Sequence, residues 1–202
     1  LTSISAYRRW QNTQDQDYDQ LSQAYASLPQ LADHGWLDFW QASQEVRVAS
    51  PKGHLFDYVA GLYYLHTSDT ETYDRSLQPY TGTASSGHAS FGTTGNNYAA
   101  FAEGNLNFTG NFRAILGLRL LRDDLDYRFS RTSTSAEAVT GIRPNYASNG
   151  STAHNGYVDR IGLQYDLNRD IHAYFTYSHG YKGPAYNVFF NMQNTDAKAL
   201  RP

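Results

Sequence analysis

An all-β fold, an antiparallel stretch from the wall of a membrane-spanning barrel, is predicted by three features of this sequence. Apolar and polar residues alternate with period two in several segments. Short, turn-rich connections alternate with long polar ones. One strand-like run, from Asn111 to about Arg131, is far longer than a soluble strand usually is.

Taken in order, residues 1–11 and 45–49 read as weak strands, and residues 56–73 as a stronger but blurred one. There Val59 and Leu65 fall on the face opposite Tyr58 and Leu62. Along residues 98–108, Ala100, Ala102, Gly104, Leu106 and Phe108 share one parity, and Glu103, Asn105 and Asn107 share the other. The clearest segment is 112–120, where Phe112, Ala114, Leu116, Leu118 and Leu120 oppose Arg113, Gly117 and Arg119, with Ile115 the exception. A helix would wrap those arginines around its apolar side, whereas a strand segregates them. In residues 157–167, Ile161, Leu163 and Tyr165 oppose Arg160, Gln164 and Asp166. In residues 171–181, Ile171, Ala173, Phe175 and Tyr177 oppose His172, Thr176 and Ser178. About seven strands are therefore expected.

The connections sort into two classes. Those around Ser50-Pro51-Lys52-Gly53, Thr109-Gly110-Asn111 and Leu167-Asn168-Arg169-Asp170 are short and rich in turn formers. Those at residues 12–35, 74–97 and 130–156 are expected to be long polar loops, the last two loaded with Gly, Ser, Thr and Asn. Three such loops argue against a compact soluble domain. In an outer-membrane barrel, tight turns at one rim and long loops at the other are the rule.

Composition agrees with a pleated, half-wet surface. The 202 residues include 17 Tyr, 10 Phe and 3 Trp but one Met and no Cys. Aromatic rings pack well across strands, and a Tyr hydroxyl stays solvated while its ring buries. The net charge of −3 is scattered without a basic stripe, which excludes nucleic acid as the expected partner. The lack of Cys excludes a disulfide framework and thiolate metal sites. No apolar run reaches the ~18 residues of a membrane helix. In hydrocarbon every backbone amide needs an internal partner, so a β structure crosses only as a closed barrel. The apolar parity would then meet lipid, and Arg113, Arg119, Glu103, Arg160 and Asp166 would meet a watery lumen where opposite charges can pair.

Against these segments a family resemblance can be set. Ser43-Gln44-Glu45-Val46-Arg47-Val48-Ala49-Ser50-Pro51, then Tyr58-Val59-Ala60-Gly61-Leu62-Tyr63-Tyr64, resemble consecutive strands of TonB-dependent receptor barrels. After Tyr98-Ala99-Ala100-Phe101-Ala102, the run Gly117-Leu118-Arg119-Leu120-Leu121-Arg122-Asp123-Asp124 is similar to that family's next strand motif. Tyr174-Phe175-Thr176-Tyr177-Ser178-His179-Gly180-Tyr181-Lys182-Gly183 resembles a further one, and Leu200-Arg201-Pro202 the start of the segment that follows it. Pro184 and Ala185 stand where the family carries glycines, and His179 where Arg is common.

The resemblance implies a bacterial outer-membrane receptor with a barrel of about 22 strands and an N-terminal plug. Such a receptor takes up a scarce nutrient, a ferric siderophore first among the candidates, with haem, cobalamin and glycans behind it. It is driven by the TonB-ExbB-ExbD complex acting through the plug. Residues 1–202 are read as part of one barrel domain, an excerpt without plug, TonB box or closing strand, which is not expected to form a pore by itself. A small complete barrel acting as porin or adhesin, and a soluble secreted glycan-binding β-protein, are the rival readings.

No enzyme is expected, and no catalytic, cofactor or metal residue is nominated. The seven His residues show no metal-binding spacing, and His88 and His154 are expected as plain residues of outer loops. Asp123-Asp124 reads as a solvated strand end. Trp10, Trp36, Trp40, Tyr73, Tyr127 and Tyr157 are expected in interfacial aromatic girdles. Ligand contacts in such receptors come from plug and outer loops, where Tyr80, Phe91 and Tyr146 are expected to lie, though nothing ranks them.

Overall fold

The computed structural model of the chain describes residues 1–17, 20, 30–79, 82–139 and 141–200. It is one antiparallel sheet of seven strands in strict sequence order, with no helix among the described residues. The strands are β1 (Thr2–Asp17), β2 (Gln30–Ala49), β3 (Phe56–Gln78), β4 (Ser85–Thr109), β5 (Phe112–Ser133), β6 (Tyr146–Asp166) and β7 (His172–His179). The run expected from Asn111 to about Arg131 is β5, 22 residues long.

Every register is continuous enough to carry one face across the whole sheet. Leu118 pairs with Ala102 on β4 and Asp159 on β6, Ala102 with Ala60 on β3, and Ala60 with Val48 on β2. The ladder slips once, by a bulge between Asn107 and Thr109 beside the β4–β5 turn. Both outer strands have a single hydrogen-bonded neighbour, and their residues are exposed throughout.

The three short connections fall where the turn residues place them, at one end of the sheet. Gly53 sits there at a φ of 88°, which a β-carbon would strain. The opposite end departs from expectation. Residues 74–97 are not a long loop: β3 continues to Gln78, β4 begins at Ser85, and only a short link joins them. Residues 130–156 likewise reduce to the connection between Ser133 and Tyr146. Of the segment 12–35, the parts up to Asp17 and from Gln30 are strand; residues 18, 19 and 21–29 lie outside the described residues, as do Tyr80, Arg201 and Pro202. The physical reason is that ladder hydrogen bonds to both neighbours hold a strand together without an apolar stripe. Above the greasy zone one face meets water, so Ser, Thr, Asn and Gly fill it at little cost, and the alternation that marks strands in sequence fades.

Among the described residues, packing in two layers occurs only at this far end. After β7 the chain turns onto one face of the sheet, where Phe190 and Met192 close over Ala89, Phe91, Tyr127 and Phe129.

Candidate functional site: the two faces of the wall

Pairing register and pleat assign every strand side chain to one of two faces. One face carries, near the short-turn end, Val46 and Val48 of β2, Leu62 of β3, Leu116, Leu118 and Leu120 of β5, and Ile161 and Leu163 of β6. All are large apolar side chains left exposed, Leu62 at 66% and Leu120 at 54%. A contiguous greasy surface of this extent is not left to water in a soluble protein.

Aromatic rings border it on two sides. At the lower edge Phe56 stacks on Tyr58 at 5.8 Å, Phe108 on Phe112 at 5.3 Å, and Phe112 meets Tyr165 at 6.3 Å. Along the upper edge Tyr7 meets Trp40 at 6.2 Å, Tyr64 meets Tyr98 at 5.1 Å, and Tyr157 stacks on His179 at 4.7 Å. From Tyr98 to Phe108 is about 34 Å of strand, or ~26 Å of depth at a ~40° tilt, the height of a barrel's apolar band. Above the upper edge the same face turns polar, with Arg122, Asp124, Asp126 and Arg128 on β5.

Of the residues expected in the girdles, Trp40 and Tyr157 lie in the upper one, and Trp36 lies on the same face further out. Trp10, Tyr73 and Tyr127 do not. Trp10 pairs with Phe39 on the opposite face, and Tyr73 and Tyr127 belong to the packed cluster there. Trp10 is at girdle height on the wrong face, whereas Tyr73 and Tyr127 lie nine and five rungs above the Tyr64–Tyr98 contact, so for them position near a strand end misled on height as well as on face.

The opposite face carries the ionic set. Arg113 pairs with Asp166 at 3.5 Å and Arg160 approaches Glu103 at 4.0 Å, while Arg119 instead lies over the rings of Tyr63 and Phe101, at 5.0 and 6.0 Å. These pairs are about half exposed, so they add little stability. Their use is compatibility: a wet surface that attracts no lipid and leaves donors and acceptors available.

Further up, the inturned segment makes this face a built structure. Asp33, almost wholly buried on β2, takes a two-pronged bond from Arg75 at 2.7 and 2.6 Å and a third from the Tyr73 hydroxyl at 2.6 Å. That carboxylate raises the Arg75 pKa and so holds its charge. Arg75 also donates to the carbonyl of Gly141 at 2.9 Å and lies 5.1 Å from the Phe190 ring centre. Arg131, 3% exposed, donates to the carbonyls of Pro144, Phe190 and Met192. Burial pulls its pKa down, and Arg143 adds to the effect. Tyr186 closes on Tyr127 at 4.3 Å. Of these residues only Tyr73 and Tyr127 were singled out in the sequence, and for the girdles rather than for this cluster. The available signal was a change of parity: Ala89 and Phe91, then Tyr127 and Phe129, keep strict alternation after the outward face has become polar.

Of the expected loop residues, those that the structure describes sit on strands. Phe91 is buried on β4, and Tyr146 opens β6 against Phe129 at 5.8 Å. His88 pairs with Asp74 at 2.7 Å on the outward face, in a row that continues through His34 and Asp15. Hydrogen bonding to Asp15, and its charge, raise the His34 imidazole above its ordinary value. His154 faces inward, its Nδ1 3.2 Å from the Tyr181 hydroxyl. Among the described residues no His, Asp or Glu group is arranged to hold a metal ion.

Tyr181 packs against the wall where the chain leaves β7. Its ring lies flat in the notch left by Gly156, where a β-carbon would come within 2.3 Å of two ring atoms. Gly156→Ala should expel the ring and destabilise the inturned segment by about 1–3 kcal/mol, read as faster amide exchange over residues 180–185. Unchanged exchange there would remove the notch from the explanation.

A seven-stranded wall with one greasy face between aromatic edges and one ionic face narrows the families it can come from, and sequence comparison settles the matter. The family described as "TonB dependent receptor-like, beta-barrel" matches residues 2–202. The chain belongs to that family. Among solved structures, the TonB-dependent barrel wall resembles the ferric yersiniabactin uptake receptor FyuA from Yersinia pestis. The TM-score is 0.68 and the identity 18%, over 98% of this chain and 29% of that one. This likeness concerns the fold, and the chain spans less than a third of that receptor's length. The ferric-catecholate import receptor Fiu from E. coli K12 is a more distant neighbour, with a TM-score of 0.37 and 11% identity, over 87% of this chain and 35% of that one. No curated protein matches the chain in sequence. The family is one of outer-membrane receptors rather than enzymes.

Proposed function

We propose that this wall belongs to a bacterial outer-membrane receptor for TonB-dependent uptake of a ferric siderophore. Further strands would pair with the free edges of β1 and β7, closing a barrel of about 22 strands. The observation that carries the reading is the division of one sheet into a lipid-compatible face and an ionic face, in a chain that belongs to the TonB-dependent family. Lateral ion pairing on the lumen side, as in Arg113–Asp166, satisfies the wall's own charges, so a plug domain can sit against it and be pulled without leaving buried charges bare. The TonB-ExbB-ExbD complex would supply that pull through the plug. That FyuA, whose wall shares this fold, takes up ferric yersiniabactin supports the choice of ligand class.

Uptake of radio-iron delivered as a panel of siderophores, in cells with and without the intact gene, tests this. The expected result is loss of uptake of one siderophore class on deletion, and equal loss when TonB is removed. Unchanged iron uptake alongside a loss of cobalamin or sugar uptake would overturn the ligand class and leave the receptor standing.

A further inference from the structure

On the outward face the apolar surface is not flat. β4 contributes only Ala100 and Ala102 where its neighbours contribute Leu62 on β3 and Leu118 and Leu120 on β5, so a channel runs along β4 between two ridges. It consists of an upper hollow of about 750 Å³ around Ala100 and a lower one of about 640 Å³ around Ala102. Both ends are closed by aromatic pairs. The Tyr64–Tyr98 contact lies at the top, and the Phe56–Tyr58 stack at the bottom, where the Phe56 ring fills the space above Gly104. Between Tyr98 and Gly104 the channel is about 20 Å long, or ~15 Å of depth at a ~40° tilt. That is one leaflet of a ~30 Å hydrocarbon core.

A cation marks its mouth. Arg122 pairs across the ladder with Tyr98 and with Asn155. Its Nε donates to Asp124 at 2.9 Å, and its terminal amino groups make no other bond among the described residues.

We propose that this channel holds a single acyl chain of a phosphorylated lipid of the outward leaflet, with the lipid phosphate on Arg122. The inference rests on the outer-membrane reading given above. A chain lying between Leu62 and Leu118 is contacted on three sides, and so is held longer than one on a convex surface. The guanidinium selects among headgroups by charge, because a phosphate with no compensating ammonium gains more from it than a zwitterion does.

The test uses the intact receptor in phosphatidylcholine vesicles containing spin-labelled phosphatidylglycerol or spin-labelled phosphatidylcholine, read by electron paramagnetic resonance. Wild type is expected to hold a motionally restricted population favouring phosphatidylglycerol by about fivefold, and Arg122→Gln to bring the preference to near unity. The pair Ala100→Phe with Ala102→Phe fills the channel with side chains that lipid tolerates; it should shrink the restricted population while heat-modifiable migration on gels shows a folded barrel. Restricted lipid that is present but indifferent to all three substitutions overturns the proposal and leaves the membrane reading intact. No restricted lipid in any sample overturns both.

Discussion

Leu62→Arg should destabilise the barrel by about 2–4 kcal/mol, while Arg119→Gln, on the opposite face, should change its stability by less than about 1 kcal/mol. Leu62 is exposed in the middle of the greasy face, between Val46 and Ala100 in the ladder. A guanidinium there has Val46 and Ala100 beside it, and the same-face residues of the rungs above and below include no carboxylate. Arg119 points the other way, over Tyr63 and Phe101, where its loss removes only ring contacts and Gln remains hydrated. Urea-driven unfolding of the receptor in thin-bilayer vesicles gives both numbers. Equal costs at the two positions would mean that the faces are not divided between lipid and water, and the membrane reading would fail with them. Nitroxide labels make the same comparison without a charge: positions 116 and 118 should be accessible to oxygen, and 113 and 119 to an aqueous relaxant.

The same division of faces shows why half of this structure was legible from sequence. Between residues 98 and 120, and again from 157 to 177, lipid on one side and water on the other impose a chemical difference on alternate residues, and that difference is what period two records. Short turns were legible for a related reason, since Gly53 must adopt a backbone that other residues avoid. The far end lost its signal because its outward face is in water. There the strand 85–97 reads Ser, Ser, Gly, His, Ala, Ser, Phe, Gly, Thr, Thr, Gly, Asn and Asn, and its order comes from neighbours on both sides rather than from its own pattern. Side-chain placement was also beyond reach where a distant partner decides it. Tyr73 and Tyr127 are girdle-like in residue type alone, and the chain that covers them arrives from residues 186–192, more than fifty positions later in sequence.

Beneath that returning chain one residue touches three separate stretches, and the second large effect is expected there. Arg75→Met should loosen the far end of the wall by about 3–5 kcal/mol, because it strands Asp33 as a buried carboxylate with the Tyr73 hydroxyl as the donor that remains. The cost is not confined to β2 and β3. Arg75 also holds Gly141, in the connection between β5 and β6, and faces Phe190 in the inturned segment, so three separate stretches lose a common anchor. Amide exchange should therefore accelerate together at residues 33, 141 and 190 while the lower halves of β4 and β5 stay protected. The pair Asp33→Asn with Arg75→Met separates charge from contact. With no carboxylate left to strand, much of the stability should return, though the lost bond to Gly141 should keep its segment mobile. If the double variant is as unstable as Arg75→Met alone, the penalty lies in packing around Phe190 and not in an uncompensated charge.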